Sequence, residues 1–234
     1  MTQKELNKYL KERLNHEYNL KYKPRLSHTS KMPCASFALP IKETCNGRFN
    51  PDGSLKEICE GCYADKGMYL WNNAINLREN NYLSTLENDF TGYMIDLILV
   101  EENKGSEYFR WFDSGDVYSS KFLLKLFTIC QNTPNTKHWI PTKSRDLYDQ
   151  FIWEALEPLP NVTVRFSSDS KFGVFDLRHK STVIQPDQEV NKKLVFKCKA
   201  KSIGLNKKGK ANPKKCHNCR ACWTNDKVIA YEFH

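Results

Sequence analysis

The cysteines near the C-terminus are spaced for metal binding. Cys216, Cys219 and Cys222 follow one another at C-x2-C-x2-C spacing, and Cys198 precedes them. In bacterial ferredoxins the same spacing wraps thiolates around a [4Fe–4S] cluster. Zinc is the competing metal, because Cys198 with any three of His217 and the cysteines of the run would complete a tetrahedron. The spacing predicts a metal site formed by Cys198, Cys216, Cys219 and Cys222, with iron–sulfur favoured over zinc.

A second cysteine group lies in the first third of the chain. Cys59 and Cys62 form a C-x2-C pair, and Cys45 stands upstream of them. The intervening Asn-Pro-Asp-Gly at 50–53 is a turn signal, so the chain can return Cys45 to the pair. A lone C-x2-C is also typical of thioredoxin-type redox sites. The third cysteine, and Tyr63 directly after the last one, favour a metal cluster held by Cys45, Cys59 and Cys62.

The elements that position these cysteines follow a regular pattern. Apolar strands are predicted at 108–112, 138–140 and 162–166, and amphipathic helices at 120–130 and 145–156. Strand, polar tip and helix recur roughly every 26 to 29 residues, which is the spacing of βαβ units. The pattern predicts an α/β protein built on a parallel sheet.

Ligands of such sheets bind at the carboxyl ends of the strands. The three predicted strands end in Ser-Gly-Asp at 114–116, Pro-Thr-Lys-Ser at 141–144 and Ser-Ser-Asp at 167–169. These small, hydroxylated and charged tips predict a ligand-facing rim. For Asp116, capping of the next helix is an equally good interpretation. The candidate cofactor-binding residues are Ser114, Gly115, Asp116, Thr142, Lys143 and Ser167.

The remainder of the chain is predicted from periodicity. An amphipathic helix is expected over 2–19, an extended basic lead-in over 20–33, and a short strand over 36–39. Helix is expected from Tyr63 to about Leu86 and again from 84 to 103. Cys34 and Cys130 are interpreted as buried small side chains. Weaker strands are expected at 181–185, 194–197 and 228–233, and the predicted regions are 1–33 (N-terminal helix and lead-in), 34–190 (α/β core) and 191–234 (lysine-rich loop and cysteine segment).

Composition limits the classes of function. The formal net charge is +9, and residues 192–215 hold ten lysines without an acidic residue. Such a basic loop is either a solvated surface or a contact for nucleic acid, an acidic protein or a phosphorylated ligand. Apolar runs are too short to cross a membrane, and the N-terminus lacks the apolar core of a signal peptide. We therefore expect a cytoplasmic protein with reduced thiols and no membrane partner.

Taken in order, these motifs resemble a phage protein family, the one named after gene product eighty-eight. The resemblance covers the chain from about residue 30 to its end, and implies expression in an infected host cell. It rests on Cys45…Cys59-Glu-Gly-Cys62-Tyr-Ala, Ser114-Gly-Asp116, Pro141-Thr-Lys-Ser144 and Cys198…Cys216-x2-Cys219-Arg-Ala-Cys222-Trp…His234.

That family in turn looks like a shortened relative of radical S-adenosylmethionine enzymes, which fold as partial (β/α) barrels. The resemblance implies that Cys45, Cys59 and Cys62 hold a [4Fe–4S] cluster whose open iron chelates S-adenosylmethionine. It also implies that Asp116 orients the amino group of this cofactor. Cys198, Cys216, Cys219 and Cys222 would then hold an auxiliary cluster.

Two other classes of function stay open at this stage. In the first, the protein is a non-catalytic electron carrier with two fully ligated clusters, the first completed by Cys34 or a histidine. In the second, zinc only stabilises the C-terminal segment while the lysine-rich loop binds nucleic acid. The sequence does not identify a substrate, and no catalytic residue is assigned.

Overall fold

The structure is a computed structural model that describes residues 2–29, 32–171, 180–185, 188–198, 203–205, 211–213, 216 and 219–232. The helices are α1 Gln3–His16, α2 Ile41–Thr44, α3 Asn72–Leu86, α4 Phe90–Asn103, α5 Ser120–Gln131 and α6 Gln150–Leu156. The strands are β1 Ala35–Phe37, β2 Tyr108–Trp111, β3 Lys137–Thr142, β4 Val162–Phe166, β5 Ser181–Ile184, β6 Val195–Lys197, β7 Ile203–Leu205, β8 Ala211–Pro213 and β9 Val228–Glu232. Short 3₁₀ turns lie at Asn46–Arg48, Glu57–Cys59, Tyr63–Asp65, Gly67–Leu70, Arg145–Leu147 and Ala221–Trp223.

The predicted N-terminal helix is confirmed as α1. Thr2 begins it with a capping box, in which its hydroxyl accepts from the Glu5 amide while the Glu5 carboxylate accepts from the Thr2 amide. Leu10 and Leu14 lie one helical turn apart and are buried in a cluster with Tyr93 of α4. The helix therefore packs on the outside of α4, away from the strand tips.

The predicted parallel sheet is also confirmed. β1, β2, β3 and β4 lie side by side in that order, and every neighbouring pair is parallel. Because the order never reverses, right-handed crossovers bring the connecting helices to the same face of the sheet. Alternate strand residues, among them Phe109, Trp111 and Val164, join buried residues of α4, α5 and α6 in the main core.

The opposite face of the sheet is covered by the C-terminal segment. Trp139 of β3 points to this face and packs against Trp223, with ring centroids 5.4 Å apart. A second parallel sheet follows in the order β5-β9-β6. The bridge between Phe166 and Lys180 links it to the end of β4. The C-terminal cysteine segment thus lies against the face that the helices leave open.

Three predicted boundaries are corrected. The segment after Cys62 forms 3₁₀ turns and becomes α-helical only at Asn72, since Gly67 with φ +56° interrupts it. Strand β3 continues through Pro141 to Thr142. β2 pairs with β3 only as far as Trp139, so the missing amide hydrogen of Pro141 removes no bond on that side. Within the lysine-rich stretch, β7 and β8 form an antiparallel pair instead of a plain loop.

None of the described helices is long and apolar enough to span a membrane.

Candidate functional site

The first cysteine group lies at the carboxyl end of β1. Cys45 directly follows α2, and a return hairpin then runs outward and back, with the Gly53 amide donating to the Asn50 carbonyl (2.9 Å) in the predicted turn. Lys56 ends the hairpin by donating its amide to the Arg48 carbonyl (2.8 Å). The thirteen residues between Cys45 and Cys59 therefore fold back on themselves, which brings the two cysteines to the same edge of the sheet.

The three thiols of this group are electrostatic neighbours. Burial raises the pKa of the Cys45 thiol, and the nearby Asp116 carboxylate and the thiols of Cys62 and Cys59 raise it further. Burial likewise raises the pKa of Cys59, which Lys143 lowers and Cys62 raises. Cys59 and Cys62 thus act on Cys45, and Cys62 also acts on Cys59, so the three cysteines lie within electrostatic range of one another. Cations at Lys143, Lys56 and Arg48 face these thiols.

Asp116 joins the tips of β2 and β3. Its carboxylate accepts hydrogen bonds from the Thr142 hydroxyl (2.6 Å), the Lys143 amide (2.7 Å) and the Val117 amide (2.7 Å). Burial raises the pKa of Asp116 to about 6, against the lowering effect of these donors. The alternative cap role is excluded, because Ser119 caps α5 by accepting from the Phe122 amide (3.1 Å).

Ser114 and Gly115 join the tips of β1 and β2. The Leu39 amide donates to the Ser114 carbonyl (2.9 Å), and the Ser114 hydroxyl donates to the Leu39 carbonyl (2.9 Å). Gly115 has φ +79°, and a Cβ there would stand 2.5 Å from the Leu39 Cβ. Only glycine meets both demands. The Ser-Gly-Asp tip is therefore largely occupied by contacts within the chain.

The tips of β3 and β4 complete the rim. The Ser167 amide donates to the Thr142 carbonyl (2.7 Å). Lys143 donates to the Ser168 carbonyl and pairs with Asp169 at 3.3 Å. The structure thus assembles all six candidate cofactor-binding residues at one edge of the sheet, beside the first cysteine group.

Two contacts fasten the cysteine loops to this rim. Gly47, two residues after Cys45, is packed so closely that a Cβ there would stand 2.5 Å from the Lys143 carbonyl oxygen. On the Cys59 side, Lys56 forms an ion pair with Asp169 at 2.7 Å. Both cysteine-bearing turns are thereby held against the ends of β3 and β4.

Sequence reasoning missed a polar pair next to Tyr63. The Tyr63 hydroxyl donates to the Asp113 carbonyl (2.7 Å). Burial lowers the pKa of Arg110, but the Asp113 carboxylate helps to raise it above its ordinary value. Asp113 is buried, and its Oδ1 has no hydrogen-bond partner among the described residues. The preceding Phe112 has φ +54°, an uncommon backbone conformation for a bulky residue. The alternation of side chains along β2 predicts that Arg110 points away from the helix-covered face. It does not predict that Tyr63 and Asp113 lie nearby.

The C-terminal cysteines lie on the open face of the sheet. The Cys222 sulfur is 3.5 Å from the Tyr231 hydroxyl, and burial raises the pKa of Cys222 to about 11, with Cys198 acting in the same direction. The Cys198 amide donates to the Ala230 carbonyl of β9 (2.8 Å). Cys216 lies further along the face, and Cys219 is exposed. Cys222 and Met32 pack against this face, Cys216 adjoins Met32, and Cys198 acts electrostatically on Cys222.

Arg165 and Trp223 hold this segment in place. The buried Arg165 guanidinium donates to the carbonyls of Ala221 (2.9 Å) and Cys222 (3.0 Å), and to three more at Lys180, Thr224 and Lys227. The Trp223 indole donates to the Phe109 carbonyl (2.9 Å). Cys222 lies between these two anchors.

No three His, Cys, Asp or Glu side chains in the described part of the chain lie close enough to share a single metal ion. His217, which was considered only as an alternative zinc ligand, and His234 lie outside the described residues. The described part of the chain thus holds a group of three cysteines at the rim and a second group of cysteines on the open face.

Comparison with known families decides the relationship of the chain. The family model of gene product 88 matches residues 3–225, which include both cysteine groups. The chain belongs to the gene product 88 family. Comparisons with curated proteins and with solved structures give no match. The predicted family resemblance is confirmed.

Proposed function

We propose that this protein is an iron–sulfur protein with radical-S-adenosylmethionine-like architecture. The observation that carries the proposal is the placement of the turns that bear Cys45, Cys59 and Cys62 against the carboxyl edge of a parallel sheet whose strand order never reverses. In parallel α/β proteins this edge is where ligands bind. Three thiolates also supply one ligand fewer than a [4Fe–4S] cluster needs, which leaves an iron for an external ligand.

The donor chemistry fits such a cluster better than a single zinc ion. Soft thiolates suit both metals, but zinc draws its ligands around one point. A [4Fe–4S] cube instead takes each thiolate on a different iron, so its ligands stand farther apart. The rim supplies three cysteines, which matches a cluster with one open iron, whereas a structural zinc site takes four protein ligands. Lys143 and Lys56 beside Cys59, and Arg48 beside Cys45, supply charge that offsets the thiolates.

The rim residues would position a small ligand next to this site. Cys45, Cys59 and Cys62 would hold the cluster, which, when reduced by an external one-electron donor, would supply the electron that cleaves a carbon–sulfur bond of the sulfonium into a thioether and a carbon radical. Thr142 and Ser167 stand at the ends of adjacent strands, and Lys143 is held by Asp169 at the rim. Asp116 keeps the tips of β2 and β3 in register, since both its oxygens already accept hydrogen bonds. We therefore give Asp116 a positioning role in binding this cofactor.

The first test is the UV–visible spectrum of protein purified without oxygen, with iron, sulfide and zinc measured on the same sample. Broad absorption near 400 nm with about eight irons per chain is expected if both groups hold a cluster. About four irons would mean that only one group does. Colourless protein with stoichiometric zinc would overturn the proposal and favour the zinc-stabilised nucleic-acid-binding function.

S-adenosylmethionine binding is tested separately on the reduced protein. Its addition is expected to change the electron paramagnetic resonance spectrum of one cluster, and this change should vanish in a Cys59→Ser/Cys62→Ser variant. Cys130→Ser is the matched control, because Cys130 is fully buried in the core on α5 and belongs to neither group. An unchanged spectrum in iron-loaded protein would favour the electron-carrier function instead.

A further inference from the structure

Cys34 lies with the C-terminal cysteine group and not with the first one. It immediately precedes β1, and it packs in a cluster with Trp139 and Trp223 on the open face of the sheet. Cys222 packs against the same cluster. Cys34 is 7% exposed, so its thiol is enclosed by this face.

A second observation connects Cys34 with the cysteine run. Burial raises the pKa of Cys34 to about 12, while the guanidinium groups of Arg110 and Arg220 lower it and the Cys216 thiol raises it. The Cys216 sulfur in turn lies 4.0 Å from the Met32 sulfur. Sulfur atoms from the N-terminal and C-terminal parts of the chain thus lie close together. Arg110 and Arg220 are near enough to offset the negative charge of thiolates.

Cys219 differs from the other cysteines of the run. It is exposed, whereas Cys216, Cys222 and Cys198 are partly buried. Its amide donates to the Cys216 carbonyl (2.6 Å), which forms a tight turn. In a metal centre shielded by Trp139 and Trp223, the buried Cys34 thiol would be close to the metal. The exposed Cys219 thiol would lie outside the shielded region.

We propose that Cys34 is a ligand of the C-terminal metal site, together with Cys198, Cys216 and Cys222, and that it takes the place the spacing pattern gives to Cys219. The four thiolates would hold a fully ligated centre, of the iron–sulfur class, against the open face of the sheet. This inference rests on the proposed function, because it requires that the C-terminal cysteines bind metal.

The test isolates this site in a parent protein that carries Cys59→Ser and Cys62→Ser. Iron, sulfide and zinc are measured in the parent and after adding Cys34→Ala, Cys34→Ser, Cys219→Ala or Cys219→Ser, with Cys130→Ser as the control. We expect the Cys34 variants to lose most of the metal and the Cys219 variants and the control to keep it. Cys34→Ala preserves an apolar side chain, and near-UV circular dichroism verifies the packing of the tryptophans.

The outcomes separate the two proposals. Metal retained by the Cys34 variants, or lost equally from the Cys219 variants, would overturn the assignment of Cys34 alone. A parent without iron or zinc would overturn the proposed function of this group and the assignment with it. A second measurement uses the metal-loaded native chain: iodoacetamide should modify Cys219 and spare Cys34. Protection of Cys219 in that protein would contradict the proposal.

Discussion

Arg165 shows how a single buried side chain fixes the C-terminal segment. It is fully buried, and burial lowers its pKa. It donates to five backbone carbonyls instead of pairing with a carboxylate, including those of Ala221 and Cys222. A guanidinium has five N–H groups in a rigid planar fork, whereas an ammonium has three around one point. The position therefore requires arginine.

Replacing Arg165 by Lys should destabilise the protein by about 3 kcal/mol, because three donors around one nitrogen leave several buried carbonyls unpaired. Urea unfolding measures the loss, and hydrogen exchange should become faster at residues 219–232. Arg145→Lys is the control, since Arg145 is partly exposed and stands 3.9 Å from Glu157. Equal effects of the two substitutions would show that the carbonyl contacts do not matter.

His138 is a second buried group with complete partners. The Trp111 indole donates to its Nδ1 (3.2 Å), so its Nε2 carries the hydrogen that is donated to the Thr133 hydroxyl (2.8 Å). Both ring nitrogens are engaged in the neutral form, and burial lowers the pKa of His138 to about 3. The histidine is thus structural, on the helix-covered face of the sheet.

This shift makes stability depend on pH. The folded-state pKa lies below the ordinary value of 6.5, so the unfolded chain binds a proton that the folded chain does not, and stability falls as pH decreases from about 6.5 to about 3. Between pH 7 and pH 5 His138 should cost about 2 kcal/mol. Urea unfolding of the wild type and of His138→Gln checks this value. Parallel pH profiles of the two proteins would contradict the assignment.

Among the elements, the loop that carries Cys45 depends on one close backbone approach. The turn at Asn46–Arg48 rests on the tip of β3, where Gly47 leaves no room for a Cβ beside the Lys143 carbonyl. The contact involves backbone atoms, which cannot move aside as a flexible side chain would. The position of the Cys45 thiol relative to the rim is set by this packing.

Gly47→Ala should therefore destabilise the protein by about 1–3 kcal/mol and displace Cys45. Iron content of the first group and urea unfolding are the measurements. Gly53→Ala is the matched control on the same hairpin: its φ is +82°, but no atom lies within 4 Å of its Cβ position. It should cost about 1 kcal/mol through backbone strain and leave iron binding unchanged. Full iron in Gly47→Ala would refute the argument.

The elements predicted most accurately from the sequence are those whose hydrophobic pattern agrees with their burial in the structure. The strand at 162–166 was predicted to the residue, because Val162, Val164 and Phe166 alternate with Thr163 and Arg165 at the two-residue period of a strand. The segment after Cys62 failed, since Tyr63–Leu70 has helical composition but turns around the cysteine group. Turn geometry there depends on distant contacts such as Tyr63 with Asp113.

For the candidate site, the placement of the residues could be predicted from the sequence, but their individual contacts could not. The convergence of the strand tips follows from the topology of parallel sheets, so Asp116, Thr142 and Lys143 were expected together. The engagement of both Asp116 oxygens by chain donors was not, because hydrogen-bond partners are not encoded in spacing. Nor was the meeting of Cys34 with Cys216, which lie at opposite ends of the chain.

At the scale of the whole molecule, the sheet separates the two cysteine groups. The first group lies at the carboxyl edge beside the strand tips, and the second lies on the open face under Trp223. Arg110 of β2 connects them: its charge acts on Cys34 and Cys222, and it is itself influenced by Asp113, whose carbonyl accepts from Tyr63 next to Cys62. The two cysteine groups are therefore linked through the Arg110 guanidinium, and no cysteine belongs to both groups.

Two separate sites should lose their metal independently. Cys59→Ser/Cys62→Ser and Cys198→Ser/Cys222→Ser should each remove about half of the iron, and the quadruple variant should remove nearly all of it. Iron per chain and the amplitude of absorption near 400 nm are the measurements, with Cys130→Ser as the control for substitution of a buried cysteine. If one double variant removed all the iron while unfolding remained cooperative, the two groups would have to close on a single site. If the two double variants lose iron additively, the protein has two separate metal sites. One then lies at the rim and the other on the open face of the sheet, as the fold suggests.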